Sequence, residues 1–260
     1  FKGIELGGKF PRNSGIIKFL LTKYNIKLPG GWYGSRLRER SVDEEWASMQ
    51  DQIELLKILN SDIFIFADIS GSIQSVASKP LTKRPKLDKN EWHEYAKKMS
   101  EISNRLDSIG LPMSYHEHMG TIIQTEEDLD KFINLTNEKT FLLYDTGHLL
   151  FAEVDYEKVL KQYISRINHV HCKDIRKDIM DSSLKNDLSF RDSFLEGVFT
   201  VPGDGCINYQ PIIETLYKNN YQNWLVVEAE QDPEKANPFE YAKIGYKYLS
   251  DIIIKTGYKL

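Results

Sequence analysis

Apolar runs and amphipathic segments alternate along the whole chain. The apolar, β-rich runs are residues 3–6, 26–33, 62–69, 112–118, 141–145, 167–173 and 224–230. Between them apolar positions recur every three or four residues, the period of a helix with one buried face. Start and stop signals fall where that reading needs them. Ser41 stands three residues before Glu44, a capping box opening a helix that carries Met49, Ile53, Leu56 and Leu59 on one face. Asp88 opens another, and Gly110 followed by Pro112 stops it. Thr125 and Asp155 begin two more, each with acids in the first turn, where the helix dipole favours them. Helices over residues 208–219 and 238–254 complete the series.

Alternating strands and helices make a parallel sheet. Seven of each are visible, whereas a (β/α)8 TIM barrel closes with eight strands. The expected fold is therefore an α/β TIM barrel lacking its first βα unit, forming a single domain over residues 1–260. An open doubly wound sheet is the alternative. No glycine-rich fingerprint follows an early strand, so no dinucleotide cofactor is expected. Residues 175–201 are polar and weakly periodic, and they follow a strand end, which in a barrel is the active-site face. They are read as either a lid or a flexible loop.

Charge removes some functions from consideration. With 34 basic and 38 acidic residues the formal net charge is −4, which offers no attraction to nucleic acid or anionic lipid. No apolar run approaches the roughly 20 residues of a membrane span, and no basic-then-apolar leader opens the sequence. The two cysteines, Cys172 and Cys206, form no framework, so a reduced cytoplasmic setting is expected. Association into a homo-oligomer is left open.

The informative polar residues sit at strand ends. Four consecutive apolar runs finish in Tyr115-His116-Glu117-His118, Tyr144-Asp145-Thr-Gly-His148, His169-Val-His171-Cys-Lys173-Asp174 and Val227-Glu228-Ala-Glu230. Five of the six histidines lie in three of these clusters. Residues two apart on a strand share a face, so His116 with His118, His169 with His171, and Glu228 with Glu230 form same-side pairs. Mixed imidazole and carboxylate donors suit Mn²⁺, Co²⁺, Fe²⁺ or Zn²⁺. Each residue also has a structural reading: Asp145 before Thr-Gly would cap a turn, and either glutamate would pair with a base such as Arg176. Four such coincidences on consecutive strands favour a metal site. Two rim segments, residues 201–205 with two glycines and the loop carrying Lys9 and Arg12, read equally as turns or ligand contacts.

Several of these stretches resemble the inosose dehydratases of the xylose-isomerase-like TIM-barrel superfamily. The resemblance rests on residues 115–121, 145–149, 169–174, 197–205 and 224–233, and it extends from residue 5 onward. It implies a metal held by Asp145, His171 and Glu228, with His116 in the first place and Glu117 one step out of phase. It also implies a divalent ion, Mn²⁺ or Co²⁺, and loss of water from scyllo-inosose to a trihydroxycyclohexane-dione in inositol catabolism.

That chemistry requires a polarised ketone, a base for the adjacent carbon and an acid for the departing hydroxyl. Glu230 and His118 are nominated for proton transfer in either order, and Lys173 and His148 for orienting the polyol ketone. Three rivals remain. A ketose isomerase or epimerase needs the same cage. An endonuclease-IV-like phosphodiesterase would want a basic groove that the acidic chain does not offer. A non-catalytic polyol-binding protein would bind without turnover.

Overall fold

A computed structural model describes residues 1–259. In chain order the elements are α1 (Ser14–Tyr24), β1 (Trp32–Ser35), α2 (Val42–Ile58), β2 (Phe64–Asp68), α3 (Lys89–Ser108), β3 (Met113–His116), α4 (Glu126–Leu135), β4 (Phe141–Asp145), α5 (Thr146–Phe151), α6 (Tyr156–Tyr163), β5 (Ile167–Cys172), β6 (Asp174–Ile175), α7 (Lys177–Lys185), α8 (Phe190–Glu196), β7 (Phe199–Thr200), α9 (Tyr209–Lys218), β8 (Leu225–Val227) and α10 (Pro238–Thr256). Six strands form one sheet in the order β1-β2-β3-β4-β5-β8, and β6 with β7 forms a separate antiparallel pair. The pairs β1–β2, β2–β3 and β5–β8 are parallel, as alternating strands and helices require.

By contacts the chain divides into two compact units: residues 1–70, 87–116 and 130–142, and residues 71–86, 117–129 and 143–260. In the first unit, β2 is buried along its whole length and pairs Phe66 with Tyr115 of β3. Tyr115 packs against Phe132 with ring centroids 4.3 Å apart, and Met49, Leu56, Met99 and Leu106 of the helices are buried in the same unit. Each large side chain removed from water in this way contributes roughly 1.5–3 kcal/mol. The predicted capping boxes are present at Ser41 with Glu44 and at Asp88 with Glu91. Gly110 adopts φ 73° just beyond α3, as its place after the last helical turn requires. The predicted strand over residues 3–6 is represented only by two isolated parallel bridges, Gly3 to Lys27 and Leu6 to Gly31.

In the second unit the register of β5 on β8 sets His171 opposite Val226 and Cys172 opposite Val227. Leu160 of α6, Ile212 and Leu216 of α9, and Leu249 of α10 supply buried apolar side chains to this unit. The stretch 175–201 corrects its reading as a loop. It folds into α7 and α8, bracketed by β6 and β7, with Ser189 capping α8 and Gly197 ending it at φ 94°. Its many polar residues are the outer faces of two short helices, while Met180, Phe190 and Phe199 turn inward. Helices this short carry too few turns for a clear period.

Candidate metal centre

Asp145 ends β4 and also caps α5. One carboxylate oxygen, Oδ1, accepts the backbone N–H groups of Gly147 and His148, both at 2.9 Å. The other, Oδ2, lies 3.5 Å from His171 Nδ1 and 3.5 Å from Lys173 Nζ. Asp145 thus caps the turn with one oxygen, as one of its two readings expects, while the other oxygen faces His171 and Lys173. Holding Oδ1 on two amides fixes the direction in which Oδ2 faces.

His171 and Lys173 share one face of the chain leaving β5. Glu228, immediately beyond β8, brings Oε2 to 3.0 Å from His171 Nδ1 and 3.0 Å from Lys173 Nζ. One ligand atom each from Asp145, His171 and Glu228 lies within 4.8 Å of the others. Lys173 is completely buried, and its ammonium donates to Glu230 Oε2 at 2.8 Å and to His148 Nε2 at 2.9 Å. Burial works to strip its charge, but Asp145, Glu228 and Glu230 outweigh that and hold the ammonium well above its usual range. Burial likewise works to protonate Glu230, yet Lys173 and the His148 ring keep its carboxyl well below the usual range.

A second cluster surrounds this ammonium. His118, His148 and Glu230 offer ligand atoms within 4.8 Å of one another. The rings of His118 and His148 lie 4.1 Å apart, and Phe190 packs on His118 at 4.8 Å. Phe199 lies 5.2 Å from His148 and 4.8 Å from the Lys173 nitrogen. His118 Nδ1 stands 2.9 Å from the Met119 carbonyl, which can only accept, so Nδ1 carries the hydrogen and Nε2 the lone pair. Burial, followed by the neighbouring His148, pushes His118 down to about 3, leaving the ring neutral.

The xylose isomerase-like TIM barrel family matches residues 15–252 of the chain. Rhizopine catabolism protein MocC of Rhizobium meliloti is 41% identical over 260 residues, covering all of this chain and 80% of that protein. An inosose dehydratase of Clostridium beijerinckii is 36% identical over 260 residues, covering 99% and 86%. The chain belongs to the inosose dehydratase family of xylose isomerase-like TIM barrels. Family members are hydro-lyases by name, and the chain is an enzyme of that class. Among solved structures, the probable 3-DHS dehydratase AsbF of Bacillus anthracis superposes with a TM-score of 0.71 at 14% identity, over 96% of this chain and 89% of that one. A structure described as IOLI protein with a binding zinc atom gives 0.70 at 15% identity, over 99% and 89%. At such identities these two establish the barrel fold alone.

In this family member the donor chemistry suits a divalent cation. Three carboxylates, of Asp145, Glu228 and Glu230, face one ammonium, a formal excess of two negative charges in a largely buried place. Such an excess is costly unless a cation balances it. Two carboxylates and an imidazole form the mixed donor set that a first-row divalent metal prefers. Burial, and then the charge of Asp145, pushes the Glu117 carboxyl well above its usual range, as expected beside so much negative charge. His116, the last residue of β3, is buried with its ring edge-on to Trp32 at 5.7 Å. His169 is fully buried 5.4 Å from the His171 ring.

Two aromatic residues of the second unit were not singled out from sequence. Phe190 and Phe199 wall the histidines, and only the folding of the 175–201 stretch reveals them. Arg176 donates to the carbonyls of Gly197 and Phe199 and to Asp204, tying the 201–205 turn down rather than facing Glu228 or Glu230. Asp174 accepts the N–H groups of Ile175, Gly203 and Ile207, and a Cβ at Gly205 would collide with its carboxylate. Asp68 ends β2 after a buried apolar run, the same signal used for the later strands. On the opposite side of the ledger, Arg12 pairs with Gln52 in an exposed contact.

Proposed function

We propose that this enzyme is a divalent-metal-dependent dehydratase that removes water from scyllo-inosose, with Asp145, His171 and Glu228 as metal ligands. Mn²⁺ or Co²⁺ is the expected ion. The observation that carries the reading is the formal excess of two negative charges around Lys173, on a chain whose relatives over nearly its whole length include inosose dehydratases. When bound, the cation polarises the ketone and offsets the negative charge that develops on its oxygen.

The chain's own residues do the rest. Glu230, ionised and a third exposed, takes the proton from the carbon next to the ketone. The hydroxyl one carbon further leaves with that proton, so one C–H and one C–O bond break, one C=C bond forms, and the net loss is water. His118 presents its Nε2 lone pair to a substrate hydroxyl rather than serving as a second acid, since its hydrogen is committed to Met119. Lys173 and His148 hold Glu230 and orient the polyol. Phe190 and Phe199 keep water from the two rings. No helix among the described residues is long and apolar enough to cross a membrane. The free thiols fit the reduced cytoplasm.

Absorbance of the dione product from scyllo-inosose, with and without EDTA and with Mn²⁺ or Co²⁺ restored, tests the reading. Chelator-sensitive product formation is expected. Interconversion of ketoses without a dione would replace it with the isomerase or epimerase reading. Polyol binding without turnover in saturating metal would leave a binding protein. The MocC relative, named for rhizopine catabolism, makes rhizopine the second compound to assay.

A further inference from the structure

Lys173 cannot move its charge away from the carboxylates. Its stem is packed so closely on α5 that a Cβ at Gly147 would stand 2.6 Å from Lys173 Cγ. The residue is completely buried, and its nitrogen lies 4.8 Å over the Phe199 ring. A lysine on the surface swings its ammonium into water; this one is enclosed. The two oxygens it approaches at 3.0 and 3.5 Å, Glu228 Oε2 and Asp145 Oδ2, are the same two that face His171 Nδ1 at 3.0 and 3.5 Å. The oxygens available to a cation beside His171 are therefore already facing a built-in cation. Glu230 and His148 anchor that cation from the other side, at 2.8 and 2.9 Å.

We infer that Lys173 is an internal counter-cation that holds the metal-free site together and competes with the metal for Asp145 and Glu228. It is a positioning residue in this role, and the inference rests on reading the cluster as a divalent-cation site. Without metal, the ammonium offsets one of three carboxylates that would otherwise repel one another. With metal, Asp145 and Glu228 turn from Lys173 to the ion, while Lys173 stays on Glu230 and His148. A fixed positive charge this close to a dication lowers its affinity, because unit charges a few ångströms apart interact strongly in a poorly hydrated interior. The site is thereby kept intact before loading, and the bound metal remains exchangeable.

The test compares wild-type protein with Lys173→Met, stripped of metal, in two measurements. Thermal melting of the metal-free proteins should show the variant several degrees less stable. Calorimetric titration with Mn²⁺ should show the variant binding roughly tenfold tighter or more. A lower melting temperature with unchanged Mn²⁺ affinity would leave Lys173 merely structural and overturn the inference. Weaker binding by the variant would overturn it too, since the lysine would then be organising the donors. Binding by neither protein would overturn the cation-site reading and this inference with it, a result distinct from equal binding by both. Lys173→Gln repeats the comparison should the methionine variant fail to fold. Structures of the wild type with and without Mn²⁺ give an independent check: a Lys173 nitrogen equally close to Asp145 and Glu228 in both contradicts the competition.

Discussion

Each of the two units buries carboxylates, and they do so in opposite ways. In the first, Glu45 of α2 is fully buried, and its oxygens accept the Arg36 backbone N–H and the Arg40 guanidinium. Asp68 divides its oxygens between the N–H groups of Ser70 and Arg38, at 2.8 and 3.2 Å. These acids have separate donors, and backbone amides do much of the work. In the second unit Asp145, Glu228 and Glu230 converge on a single ammonium, so that carboxylates formally outnumber the fixed cation there even though Asp145 also takes two backbone amides. The first arrangement is complete in the chain as it stands, while the second is suited to a cation from outside. A buried acid is thus informative about function chiefly through what balances it.

The contrast can be broken by changing one acid in each place. Asp145→Asn should have the largest effect, because asparagine caps a helix about as well as aspartate but brings no charge. The melting temperature of the metal-free protein should hold or rise, while kcat/KM falls by about 10³-fold or more and Mn²⁺ binding weakens severely. A variant that keeps its metal and its turnover would remove Asp145 from the ligand set. Glu230→Gln comes next: kcat is expected to drop by about 10²–10⁴-fold with metal content unchanged. Equal losses in both would make Glu230 a ligand.

Smaller effects sharpen the other side. Glu45→Gln should destabilise the fold by about 1–3 kcal/mol, since it leaves the Arg40 guanidinium and a backbone amide poorly matched. Activity per folded molecule should be little changed, and denaturant melts alongside specific activity measure both. Gly147→Ala should cost roughly 1–3 kcal/mol by forcing the Lys173 stem aside. Smallest of all, native protein at pH 8 should expose one thiol to a disulfide reagent. Cys206 is exposed, whereas burial pushes the Cys172 thiol up to about 12. Two fast thiols would show that β5 opens readily.

Much of this was legible in the residues. Capping boxes at Ser41 and Asp88, the stop at Gly110 and the periods of the long helices carry local signals, and those elements appear as expected. That Asp145, His171 and Glu228 come together was legible because each is a donor ending an apolar run, and strand ends gather on one side of a barrel. The 175–201 stretch was not, because α7 and α8 are too short for their inward positions to show a period, so Phe190 and Phe199 went unnoticed. Nor was the division of Asp145, one oxygen on two backbone amides and the other facing His171 and Lys173, since only geometry separates the two oxygens. The exchange of partners around Lys173 depends on distances between residues far apart in the chain. The residue's identity gave only a cation near the rim.

Calorimetric titration of the metal-stripped wild type with Mn²⁺ tests the central claim most directly. One equivalent bound, lost in Asp145→Asn and retained in Glu45→Gln, is the predicted result. No uptake by the wild type, or the same uptake by all three proteins, would contradict a cation site built on the clustered acids of the second unit.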